Sequence, residues 1–295
     1  MTKSRGFVWV VAAVLAAVPL LLVDPAPAGA SHAWSNYHWQ RTGAEVQLTL
    51  LDSVTSAWQN QYERARSEWD QSGVLALTSQ NGGENRATRK RCPAPSGQIR
   101  VCNAAYGFNG WLGIAQIWVW SDGHIAQGVT KMNDSYAMRP AEKQYVMCQE
   151  VGHTFGLDHQ DENFDNRNVH SCMDYSRYPE GGVQPVGGTT FDYGPSNESP
   201  NMDTVPGGTG EQHGDFEQLL AIYNHLEAAA PAPSTSASDR GRSEEGGNTP
   251  QEWGRPIRLD RDGQPILYRR DRPDGVRVFT WVLRERGHGR VRDSE

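Results

Sequence analysis

Residues 148–159 read Cys148-Gln149-Glu150-Val151-Gly152-His153-Thr154-Phe155-Gly156-Leu157-Asp158-His159 and organise the rest of the chain around them. On a helix, positions 149 and 153 are one turn apart on the same face, so side chains there converge on one ion. Gly156 can take the left-handed conformation that ends a helix, which turns the chain and lets His159 approach as a third ligand. Three protein ligands leave a fourth position for water, the arrangement of a catalytic zinc rather than a structural one. Glu150, beside the first ligand position, can take the proton from that water. The competing reading is an ordinary helix with a glycine C-cap and two surface histidines.

Working outward, the helix begins at Pro140, a residue suited to a first helical position, and runs to Gly156. Before it, Val46–Leu51, Val74–Thr78, Ile99–Asn103, Ile114–Trp120 and His124–Thr130 read as strands, the last two joined by a Ser121-Asp122-Gly123 turn. Trp58, Tyr62, Ala65 and Trp69 fall on one stripe of an intervening helix and are read as core packing, not as an aromatic binding surface. Residues 160–210 are rich in Gly, Pro, Asn and Asp, a loop long enough to be functional or disordered. A last helix is expected near Asp215, burying Phe216, Leu219, Leu220, Tyr223 and Leu226. Residues 229–250 read as a disordered Pro/Ser/Gly/Glu linker, and 251–295 as a small β-rich extension. Its strands, Arg255–Leu259, Pro265–Arg269 and Val276–Leu283, are marginal alone and are expected to dock on the domain at 31–228.

The 295 residues carry 28 Lys+Arg and 35 Asp+Glu, a net charge of −7, which disfavours a nucleic-acid partner. Residues 1–30 combine basic Lys3 and Arg5, an apolar run from Phe7 to Val23, and small Ala28 and Ala30, the features of a cleaved signal peptide. The other reading is an N-terminal membrane anchor, which the apolar length permits. Export implies a secreted, extracellular protein with no membrane contact after signal removal, expected to be a monomer. In an oxidising compartment Cys92, Cys102, Cys148 and Cys172 are read as disulfides, since none forms a C-x-x-C pair. Cys92 and Cys102 flank a turn-rich loop suited to a hairpin, which leaves Cys148 with Cys172.

At residues 148–175 the chain resembles the metzincin zinc metalloproteases, whose motif is H-E-x-x-H-x-x-G-x-x-H followed by a Met-turn. Glu150, His153, Gly156 and His159 match position for position, and Ser171-Cys172-Met173-Asp174-Tyr175 looks like the Met-turn, with Met173 beneath the metal. The resemblance covers about residues 43–228. It implies an α+β fold: a twisted mixed sheet with a few helices, the zinc helix at the cleft and a loop-rich lower subdomain. It also implies Zn2+ on Gln149, His153 and His159, and peptide-bond hydrolysis by a zinc-activated water with Glu150 as general base. Tyr175 has the spacing at which the astacin-like and serralysin-like branches carry an additional ligand that stabilises the transition state; its other role is packing. A Cys148–Cys172 bridge would tie the zinc helix to the Met-turn. The partner implied is a peptide or protein substrate, extended against an edge strand at Ile114–Trp118. Activity is expected to be lost at acid pH, where the histidines are charged and Glu150 is neutral.

Gln149 stands where the family has its first His. A carboxamide oxygen is a weaker zinc donor than imidazole, so two readings stand. Gln149 is a third ligand in an enzyme of lower zinc affinity, or the protein is an impaired pseudoprotease that acts as an extracellular binding module. Glu150 favours the first, because its buried charge is costly without chemistry to serve. His124, His170 and His213 are read as surface residues rather than substitute ligands. The Asp/Asn-rich run 158–168 could hold calcium, but it lacks EF-hand spacing and is read as a solvated loop instead.

Overall fold

The computed structural model describes Ser35 and residues 37–203, 214–227 and 244–286, so the expected signal peptide and most of the expected linker lie outside the described residues. Apolar runs form β1 (Val46–Ser53), then α1 (Gln59–Trp69) and β2 (Leu75–Asn81). A short α2 (Arg86–Arg91) follows, with β3 (Pro93–Ala94), β4 (Gln98–Ala104), β5 (Trp111–Val119) and β6 (Ile125–Asn133). Next come α3 (Pro140–His153), β7 (Val183–Val186), β8 (Thr189–Asp192) and α4 (Asp215–Ile222). Beyond these lie β9 (Glu244–Glu245), α5 (Pro250–Trp253), β10 (Arg255–Leu259), β11 (Pro265–Asp271) and β12 (Arg277–Arg284).

One mixed sheet runs β10-β11-β12-β5-β6-β4-β1-β2. Its β2, β1, β4 and β6 are mutually parallel, and β5 pairs antiparallel with both β6 and β12. The fold is therefore α+β, a large mixed sheet with few helices. The stripe on α1 is buried as expected, with Trp69 wedged against α3, where its indole donates to Cys148 O at 3.1 Å. Pro140 opens α3, and the Glu142 carboxylate, three residues past Arg139, accepts from Arg139 N at 2.7 Å.

Several expectations change. The strand Ile114–Trp118 is not an edge: Val278 to Val282 of β12 pair with Trp118 to Ile114, so the extension continues the main sheet instead of docking beside it. Aliphatic and aromatic alternation in β12 matches the pleat of β5 and buries Phe279, Trp281 and Leu283 in the main core. Within the expected linker, residues 244–250 are ordered: β9 pairs with β3, and Thr249 caps α5. Cys92 and Cys102 are bonded, but they join the end of α2 to β4 rather than closing a hairpin. Leu220 is 38% exposed, off the buried face of α4, and Leu226 is 68% exposed because α4 ends at Ile222 before it. The loop-rich stretch after α3 contains one hairpin, β7–β8. Among the described residues no helix is long and apolar enough to cross a membrane.

Candidate metal centre

The last turn of α3 carries Gln149, Glu150 and His153, all buried. Gly156 then reverses the chain at φ 95°, and a Cβ there would meet Tyr37 O at 2.2 Å, so only glycine serves. The reversal returns His159, and His153 Nε2 lies 3.0 Å from His159 Nε2.

Each imidazole is anchored at its other nitrogen. His153 Nδ1 donates to Leu157 O at 2.9 Å, and His159 Nδ1 donates to Glu162 Oε1 at 3.2 Å. A carbonyl and a carboxylate only accept, so both Nδ1 atoms carry the proton and both Nε2 atoms present lone pairs to each other. Two lone pairs at that separation repel unless a cation lies between them, and anchored imidazoles of this kind are how metal-binding histidines are oriented. Burial, His159 beside it and Arg258 push the His153 imidazole well below its ordinary pKa, which disfavours a proton as that cation.

The surroundings have the same character. Gln149 Nε2 donates to Cys172 O at 2.9 Å and to Tyr145 OH at 3.2 Å, which leaves Oε1 buried without a partner. Both Glu150 oxygens and the Tyr175 hydroxyl are likewise buried and unpartnered. Burial pushes the Glu150 carboxyl well above the usual carboxylate range, since no positive group answers it. The Tyr175 ring lies 4.4 Å from that of His159 and stacks on Phe164 at 4.5 Å. Glu150 rests on β5 at Gly113, where a Cβ would stand 2.6 Å from its Oε1. This donor set of two imidazoles, a carboxamide oxygen and a phenol fits a zinc ion, with unanswered polar atoms that a cation would satisfy.

The turn at residues 171–175 lies beneath. Met173 is fully buried, and its sulfur fills the space that a side chain at Gly152 would need. Cys148 and Cys172 are bonded with Cα atoms 5.9 Å apart, which joins α3 to that turn. Ser171 Oγ donates to Asp215 Oδ2 at 2.7 Å and accepts from Met173 N at 2.9 Å, so the start of α4 braces the same floor.

Two residues that sequence reasoning missed come from afar, and a third, Glu162, from three positions past His159. Arg258 on β10 donates to Glu162 Oε1 at 3.0 Å and to Asp158 Oδ2 at 2.6 Å. Burial alone would raise the Glu162 carboxyl, but the hydrogen bond from His159 and the charge of Arg258 hold it below its ordinary value. Trp281 of β12 stacks on His153 with ring centroids 5.0 Å apart. No local sequence signal marks these contacts; Gly113 within a strand marks only the close approach of Glu150 to β5.

His124 and His170 are not at this centre: His124 pairs with Asp122 and Glu227, and His170 is exposed in a left-handed turn. His213 lies outside the described residues. In the acidic run, Asp161 and Asn163 cap backbone N–H groups two residues on, as in a solvated loop. A small cleft opens one turn back along α3, with apolar Leu112, Val146, Phe164 and Leu283 on its walls beside charged Glu142 and three arginines.

No family model matches this chain, and no curated protein matches it significantly. The reading of the centre rests on its residues.

Proposed function

We propose that the chain is a secreted zinc-dependent endopeptidase of metzincin type whose cleft is covered by its own C-terminal strands. The observation that carries this is the pair of anchored imidazoles meeting at 3.0 Å beside a carboxyl with no partner on either oxygen. His153, His159 and the Gln149 Oε1 atom would hold zinc, which when bound polarises a scissile carbonyl and acidifies water. Glu150 takes the proton from the attacking water and returns it to the leaving amine. The Tyr175 hydroxyl, free of other partners, donates to the developing oxyanion. The apolar walls of the cleft along α3 suit an apolar substrate side chain. The two disulfides suit an oxidising, extracellular setting.

The β12–β5 pairing fills the edge along which an extended peptide would add, so substrate entry requires that β12 give way. The same pairing also supports a second reading, a metal-holding extracellular binding module without hydrolysis. Chelator-sensitive cleavage of casein by the full chain, abolished in Glu150→Ala, is the expected result. Equal cleavage by that variant would sink the endopeptidase reading. Zinc binding without cleavage, with activity gained in Gln149→His, would identify the missing imidazole as the defect.

A further inference from the structure

A second group of imidazoles gathers around one carboxylate. His38 precedes β1, His124 follows the β5–β6 turn, and His225 and Glu227 follow α4. His38 Nε2 and His124 Nε2 each lie 2.8 Å from Glu227 Oε1, and His225 Nε2 lies 3.2 Å from the same oxygen. The rings of His124 and His225 both stand edge-on to His38 at 5.0 Å. The other carboxylate oxygen, Glu227 Oε2, is buried and has no hydrogen-bond partner among the described residues.

His124 Nδ1 lies 3.1 Å from Asp122 Oδ2, so the proton of the neutral ring sits there and its Nε2 lone pair faces a carboxylate oxygen. That contact is repulsive without a positive charge. Among the described residues no Lys or Arg pairs with Glu227 or Asp122, whose ion pairs are all with histidines. An added proton would answer the His124–Oε1 contact and leave Oε2 orphaned; a divalent ion offers both oxygens a partner. The Asp122–His124 pair is also the carboxylate–imidazole arrangement that orients a metal-binding histidine.

We infer that His38, His124, His225 and Glu227 form a second metal site, separate from the centre on α3, for zinc or a similar divalent transition ion. Imidazole and carboxylate donors suit such ions; His38, His225 and Glu227 offer ligand atoms within 4.8 Å of one another, and His124, held on the same Glu227 oxygen, moves in as the fourth ligand, so that the shell is closed and the site structural. His38 and Glu227 are 189 residues apart, so the ion staples the chain before β1 and the chain after α4 onto the β5–β6 turn.

The test uses the full chain stripped with a chelator and titrated with zinc, in wild type and in His153→Ala, which removes a donor from the α3 centre. His153→Ala should retain one tight equivalent, and His225→Ala or Glu227→Gln added to it should remove that equivalent. In wild type, Asp122→Asn on the exposed turn should weaken one equivalent by about 10–100-fold, a readout that does not depend on the His153 variant folding. Co2+ should give a four-coordinate visible spectrum in His153→Ala that disappears with Glu227→Gln. Unchanged zinc stoichiometry and affinity on losing His225, Glu227 or Asp122 would overturn the site. A chain that hydrolyses nothing yet keeps this equivalent would refute the endopeptidase and leave the second site standing.

Discussion

Glu150 owes its place to Gly113, because any side chain on that β5 residue would meet the carboxylate. Gly113→Ala should therefore lower kcat/KM by about 100-fold through misplacement of the base, and cost about 1–3 kcal/mol of stability through overpacking. Kinetics alongside thermal melts would check both, and an unchanged kcat/KM would remove Glu150 from the chemistry. Glu162 acts through His159, so Glu162→Gln should weaken zinc affinity by about 10–100-fold, read by competition with a chromophoric chelator. At this scale much was legible: Glu150, His153, Gly156 and His159 follow from spacing on a helix and one glycine reversal. Glu162, three residues past His159, was hidden by its ordinary loop context. Arg258 and Trp281 were hidden because they reach the centre through the register of distant strands, and local periodicity carries no record of that.

At the scale of elements, α3 is held from two sides. Trp69 of α1 packs on it, and the Cys148–Cys172 bond joins it to the turn that carries Met173, 24 residues on. Trp69→Ala should cost about 3–5 kcal/mol, read by denaturant unfolding, because a fully buried indole leaves a cavity against α3. Replacing both Cys148 and Cys172 with Ala should cost about 2–4 kcal/mol in the same measurement and loosen the zinc site, since the bond closes the loop that carries Gln149, His153 and His159. Long apolar elements were read correctly from periodicity: β1, α1, β4, β5, β6 and α3 all form near their expected bounds. The short polar α2 and the exposed β7–β8 hairpin were not foreseen, because neither buries a stripe or a face that leaves a pattern.

For the whole molecule, the decisive feature is that residues 255–284 complete the sheet that residues 46–133 begin. Lys131 on β6 is fully buried where the extension returns; its ammonium donates to Gly246 O and, at 2.8 Å, to Asn248 Oδ1. Burial lowers its pKa from 10.5 to about 7, so between those values the unfolded chain binds a proton that the folded chain does not. Stability should therefore rise with pH across that window and lose this dependence below about 7, a slope that thermal melts should find in wild type and not in Lys131→Met. Trp281→Ala combined with Arg258→Ala removes the stack on His153 and the ion pairs to Asp158 and Glu162. Zinc affinity should fall in that variant, because Arg258 holds Glu162 against His159 and Trp281 packs on His153, and an unchanged affinity would mean that the extension does not support the centre. The sequence by itself determined the spacing of Glu150, His153 and His159 about α3, the buried stripes and that the four cysteines are oxidised, because each depends on helix or strand geometry over a few residues or on compartment chemistry. Only the tertiary structure decided that β5 has no open edge, that Arg258 and Trp281 face the imidazoles, and that three further histidines meet at Glu227. Those contacts join segments roughly 100 to 190 residues apart, and strand order and register, which no local pattern encodes, bring them together.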